Sequence, residues 1–258
     1  MSDWPRARAG RLARRLRALE EGAIRTRAAA RALARGRAEQ AALLLVRALD
    51  LAGEGEVVLA AALCEALLTP GPDLDYERLS AIYAAAVEGG HEEVKNLLVA
   101  PRPRRAFEEP RDKADPRLAH LSLGHKKALA RAHRDPDFLA RLAAEGDPTV
   151  VRELLRNPRL TEELVVRIAA RRPCRPETLR HLHDDPRWRT RPAVARAIAM
   201  NPFAAPELVT KLLPRLGAAV LAKVGADGSL HPLVRSLATR LLSARRAGEG
   251  GTLAGGED

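Results

Sequence analysis

Residues 148–168 read PTVVRELLRNPRLTEELVVRI, and residues 192–212, 44 positions on, read PAVARAIAMNPFAAPELVTKL. The two align without a gap and share eight of 21 residues, where unrelated stretches of ordinary composition share roughly two. Val150 and Leu154 lie four apart, as do Val194 and Ile198, which puts each pair on one helix face. Leu164 with Ile168, and Leu208 with Leu212, mark a second helix in each copy. Between the helices stands Asn157-Pro158 or Asn201-Pro202. Proline stops a helix because it lacks an N–H and restricts the residue before it, while asparagine bonds locally to the backbone. Thr161 suits an N-cap and Pro206 a first helical turn. The unit is therefore helix, Asn-Pro turn, helix. Alone it cannot bury its apolar faces, so it must stack on neighbours.

Partial copies extend the pattern. Arg175-Pro176-Glu177-Thr178-Leu179 repeats the Pro-Glu helix start, and His231-Pro232-Leu233-Val234-Arg235 resembles the Pro-x-Val start. Asp135-Pro136, Asp147-Pro148, and Asp185-Pro186 punctuate the same region as turns. The segments VRELLRNPRLTEEL and VARAIAMNPFAAPEL resemble the leucine-rich repeat variant family over residues ~135–240. That resemblance implies an all-α fold, a right-handed, HEAT-like helical-repeat solenoid. The 44-residue repeat, together with the lack of Gly-x-Gly-x-x-Gly, Walker, Gly-x-Ser-x-Gly or HExxH motifs, leads to the expectation of a non-enzymatic scaffold that mediates protein–protein interaction. An iron–sulfur cluster known in that family sits on clustered cysteines, which this sequence lacks, so no cofactor is expected.

Toward the N-terminus the pattern predicts a further helical array over 11–100, after a basic tail at 1–10. Leu12, Leu16 and Leu19 share a helix face; a second helix spans Arg27 to Leu51; Val57–Leu68 forms a third. Asp73 or Asp75 caps a fourth, with Leu79, Ile82, Tyr83 and Val87 on its buried side, and Glu92–Val99 forms a fifth. Residues 101–116, rich in proline and charge, read as a linker. A repeat domain is expected over 117–245 and a disordered tail over 246–258.

Aromatic residues make up 3% of the 258-residue chain against 46% apolar residues overall, so the core must be built from Leu, Ala, Val and Ile, which suits closely packed helices. Of 44 basic residues only six are lysine, a skew that GC-rich codons also produce. The net charge of +11 favours acidic partners, nucleic acid or anionic lipid. Residues 1–37 alone carry +8, and the remainder reads as mildly basic. This Arg-rich N-terminus is either a solvated helix packed on its neighbour or a peripheral contact to an anionic membrane. Cys64 and Cys174 form no paired motif, no apolar leader is present, and no run of 18 apolar residues occurs. The expectation is a cytoplasmic protein without a transmembrane segment.

His181-x-His183-Asp184-Asp185 is the most metal-like cluster, but residues two apart point to different helix faces, so no metal site is expected. His120, His125 and His133 with Lys126 and Lys127 match no zinc-ligand spacing. Cys174 lacks the neighbours of an activated nucleophile, with only Arg172 and Arg175 beside it. Arg152 and Arg196 hold the same repeat position, with Arg156 one turn beyond Arg152. These three are the candidate partner-binding residues, a row of guanidiniums able to grip carboxylates or phosphates. Asn157 and Asn201 read as structural, a ladder of amides satisfying turn backbones. Nucleic-acid (DNA) binding through an Arg-rich face is the alternative to protein binding. A DNA-repair variant would use Trp188 beside Asp184 and Asp185.

Overall fold

A computed structural model describes residues 4–53, 56–68, 71–109 and 115–253, and their regular structure is entirely helical. Contacts divide the chain into two units: residues 1–101 with 206–228 and 232–258, and residues 102–205 with 229–231. The division falls at the start of the Pro-rich segment and again at Pro206, inside the second repeat copy.

The first unit contains α1 (Trp4–Arg17), α2 (Gly22–Ala34), α3 (Ala38–Gly53), α4 (Val57–Leu68), α5 (Tyr76–Glu88) and α6 (Glu92–Leu98). Three later helices belong to it: α13 (Pro206–Leu212), α14 (Ala218–Ala226) and α15 (Pro232–Leu253). Its centre is α4. Leu59, Ala60, Leu63, Cys64, Ala66 and Leu67 are all buried, so the helix is apolar around its circumference and packs on α1, α2, α3 and α13. Alanine at these crossings lets the helix backbones approach closely.

Several sequence expectations are corrected here. The single helix expected over Arg27–Leu51 is two, because Gly36 adopts φ 80° between α2 and α3. A left-handed residue ends a helix, and glycine enters that region without steric cost. Helix α1 begins at Trp4, within the expected tail, and buries Ala9, Ala13 and Leu16 against α3 and α4. Its apolar face is spent on packing inside the protein. Helix α15 likewise continues through 246–253, where a tail was expected; residues 254–258 lie outside the described ones. On α5, capped by Asp75 through a 2.7 Å bond from the Arg78 N–H, the buried residues are Ile82, Ala85 and Ala86. Tyr83 and Val87 are exposed, because the small alanines form the side that packs on α3 and α6.

The second unit contains α7 (Leu123–Ala132), α8 (Pro136–Glu145), α9 (Pro148–Leu155), α10 (Glu162–Ala170), α11 (Pro176–Asp184) and α12 (Pro192–Ala199). Four of the six start at proline, whose missing N–H is one a helix leaves unpaired anyway. Asp135-Pro136 and Asp147-Pro148, grouped with the turns in the sequence, are helix starts: each Asp side chain accepts N–H bonds from the first turn. Helices two apart are the principal neighbours. Helix α9 packs on α7 and α11, and α10 packs on α12.

Candidate functional site

What positions the surface of the second unit is a turn that occurs four times, at Asp115-Pro116, Asn157-Pro158, Asp185-Pro186 and Asn201-Pro202. In each, the side-chain oxygen of the first residue accepts from the N–H two residues on: Arg117 (2.9 Å), Arg159 (2.8 Å), Arg187 (2.9 Å) and Phe203 (3.0 Å). In each, the backbone carbonyl accepts from the residue after that: Leu118, Leu160, Trp188 and Ala204, all four buried. The sequences DPRL, NPRL, DPRW and NPFA show the rule. A search for Asx-Pro-x-apolar would have found the first turn, which the sequence reading absorbed into its linker, along with DPDF and DPTV, where the same pattern starts α8 and α9.

The two asparagines do more. Asn157 is 1% exposed, and its amide donates to the Ala130 and His133 carbonyls at 2.9 and 3.0 Å, closing the C-terminus of α7. Asn201, 2% exposed, donates to the Ala169 and Arg171 carbonyls at 2.7 and 3.0 Å, closing α10. Each asparagine follows one helix and ties down the helix two before it. Carbonyls at a helix end have no intrahelical partner and must find one. Asp185 follows α11, and its carboxylate has no N–H to donate. Arg187 instead ties this turn to the preceding one, reaching the Asn157 and Leu160 carbonyls at 3.2 and 2.8 Å while its guanidinium covers the Trp188 ring at 4.4 Å. The asparagines are structural, but each amide closes the end of an earlier helix, and the two form separate ties where a ladder along the turns was expected.

Of the predicted partner-binding residues, Arg152 and Arg156 lie on α9 or at its end, and Arg196 lies on α12; all three are exposed. Helices α9 and α12 have different principal neighbours, so Arg152 and Arg196 are not carried on adjoining helices. Arg156 is engaged with Glu153 at 3.2 Å. Sequence reasoning missed that glutamate. Its side chain is 6% exposed and lies under Arg156 and Arg131, whose guanidinium is 2.6 Å away. The hydrogen bond from Arg131, reinforced by both positive charges, holds the carboxyl below its ordinary range.

Two adjoining depressions mark this unit. One, of about 540 Å³, runs along α8 and α10 over Ala140, Ala144, Leu164 and Ile168, with Arg167 and Arg171 beside them. The other, of about 140 Å³, lies where Gly146 and Asp147 face Arg171, Cys174, Arg175 and Thr178, with Phe107 and Glu109 on its wall. Gly146, at φ 72°, lets the chain pass close under the Arg171 guanidinium, which a Cβ there would approach to 3.0 Å. Arg171 in turn donates to the Ala143 carbonyl at the end of α8 (3.2 Å). Burial works against ionisation of Asp147, but the bonds from the Thr149 hydroxyl and from the Val150 and Thr149 N–H groups outweigh it and lower its value.

Burial pushes the Cys64 thiol up to about 12 and the Cys174 thiol up to about 11, so both stay protonated at neutral pH. Among the described residues no three His, Cys, Asp or Glu side chains gather as a metal would need. His183 is buried, and burial raises the Asp184 carboxyl. Trp188, weighed as a platform for a flipped base, is 3% exposed beneath Arg187 and is not presented to a ligand.

The charge of this unit also departs from expectation. Its segments hold 23 Lys and Arg against 14 Asp and Glu, a net of +9, while the first unit holds 21 against 19. The mild basicity read for the chain beyond residue 37 is thus the sum of a basic second unit and a first unit whose residues past 37 hold 10 Lys and Arg against 16 Asp and Glu. No helix among the described residues is long and apolar enough to cross a membrane. Comparison of the chain with protein-family models, with curated proteins and with solved structures returns no match.

Proposed function

We propose that the chain is a non-enzymatic, cytoplasmic helical-repeat scaffold whose second unit presents a surface to a protein partner. The observation that carries this reading is the repeated Asx-Pro turn with its two-apart helix packing. A register of that kind resembles the leucine-rich repeat variant family and favours a right-handed, HEAT-like solenoid. Stacked helices in such an array bury one continuous core and leave long faces for binding. The two protonated thiols and the carboxylates already engaged by arginine or by helix N–H groups support binding over catalysis.

A second reading, nucleic-acid binding, is favoured by one observation, the net +9 on the second unit. Phosphate contacts bring steep salt dependence, with affinity falling roughly 10³-fold or more between 50 and 200 mM salt for six or more contacts.

Affinity capture on the immobilised full chain, from nuclease-treated lysate, separates the two. A stoichiometric protein partner that is lost on Arg152→Glu with Arg196→Glu is the expected outcome. Capture that disappears with nuclease, together with salt-steep binding of a DNA duplex, would overturn the protein reading and install the second one.

A further inference from the structure

We infer that the α8–α10 groove of the second unit is a docking site for a short acidic segment that carries an aromatic or large apolar side chain beside its carboxylates. The inference rests on the protein-partner reading above and names the chemistry of that partner. Ala140 and Ala144 on one side, with Leu164 and Ile168 on the other, floor a groove of about 540 Å³. Short side chains along α8 leave room for a longer one from outside. Arg167 and Arg171 edge the groove; their aliphatic stems extend the apolar wall, while the Arg167 guanidinium pairs with the exposed Glu163 at 3.3 Å and that of Arg171 donates to the Ala143 carbonyl at 3.2 Å.

The adjoining cavity shows how this surface handles such a segment, because the chain supplies one itself. Arg175 lies 4.8 Å over the Phe107 ring and 3.0 Å from the Glu109 carboxylate. One guanidinium thus takes an aromatic face and, two residues on, a carboxylate. That contact and the open groove share Ala143, Ile168 and Arg171, so the two are continuous. The net +9 of the unit attracts an acidic partner at long range. Phe107 and Glu109 line the adjoining cavity and not the groove itself: with them in place that cavity measures about 140 Å³, well below the roughly 300–1,000 Å³ of ligand-sized sites, so a segment that extends from the groove into it competes with them.

The test uses the full chain and a short fluorescein-labelled peptide with a Phe-Glu-Glu centre flanked by Gly and Ser, read by fluorescence polarisation at low salt. Binding is expected, and Phe107→Ala with Glu109→Gln should tighten it about tenfold by removing the competitor. Ala144→Trp, at an exposed position, should fill the groove and weaken binding at least ~10-fold with an unchanged helical circular-dichroism spectrum. Should that variant lose helicity, Arg167→Glu, on an exposed side chain, is expected to weaken binding about fivefold instead. Peptide binding that is indifferent to both groove substitutions overturns the docking site while leaving a protein partner in place. A chain that ignores the peptide but binds a DNA duplex overturns the protein reading as well. Failure to bind either probe, with the competitor removed, also overturns the docking site.

Discussion

The two units close their helices by different means. In the first, the C-terminal carbonyls are met by long cations from distant parts of the chain: Arg78 reaches the Leu33 carbonyl at the end of α2 (2.8 and 2.7 Å), Lys211 that of Leu67 in α4, and Arg245 that of Ala52 in α3. In the second, Asn157 and Asn201 do the same work for α7 and α10 with short amides held in fixed turns, while α8 and α12 are met by arginines, Arg171 and Arg172. A cation suits the negative end of a helix dipole and tolerates variable geometry. A buried amide demands one geometry and so fixes the register of neighbouring helices. Arg78 and Arg245 of the first unit are thus structural, whereas Arg152, Arg167 and Arg196 of the second lie on its exposed sides.

Substitutions in the two units should break them differently. Leu63→Ala, at a fully buried position on α4, should cost about 3 kcal/mol, the usual range for a buried leucine cut to alanine. Asn157→Ala should cost about 2 kcal/mol, because two α7 carbonyls and the Arg159 N–H lose their partner in a buried setting. Urea unfolding of each variant checks both values; an Asn157→Ala effect within 0.5 kcal/mol of zero would be that of an ordinary surface change. Asn157→Asp should be the worse of the two at neutral pH, since it turns a carboxylate toward two carbonyl oxygens.

Acid should sharpen the contrast further. Glu153 and Asp147, both in the second unit, have values lowered on folding. The stability each contributes is full above its unfolded value and is lost as pH falls through the lower folded value. Asp184, raised by burial, opposes this weakly by taking up its proton earlier in the folded protein. Thermal midpoints should therefore fall below pH 4.5, and Glu153→Gln should flatten that fall. The substitution itself should cost about 1 kcal/mol at pH 7, because both guanidiniums on Glu153 are more than half exposed. Smallest is Gly36→Ala, where φ 80° costs a non-glycine residue about 1 kcal/mol and the flexible end of Gln40 can move aside.

The sequence made the helices and the Asn ladder readable for one reason: apolar spacing and Asn-Pro turns leave a local signature. Helix α4 matches its expected bounds because Thr69-Pro70 follows a run that is apolar except for Glu65. Gly36 was hidden inside an Arg- and Ala-rich stretch whose periodicity carries on across it. Glu153 was unreadable as a buried residue, since a glutamate after Arg152 looks like a solvated face until Arg131, 22 residues away, covers it. The charge of the second unit was masked because residues 38–101 of the first unit are acidic, three Lys and Arg against eleven Asp and Glu, and offset it in the sum. The α8–α10 groove needs three-dimensional placement of alanines that read, in sequence, as generic helix.

Amide hydrogen exchange on Asn157→Ala and Asn201→Ala probes most directly whether each amide ties down the helix two before it. Asn157→Ala should speed exchange at the end of α7 and in α9 while sparing α10 and α12; Asn201→Ala should do the reverse. Uniform loosening of the whole unit by either change, or none at all, would contradict the two-apart register.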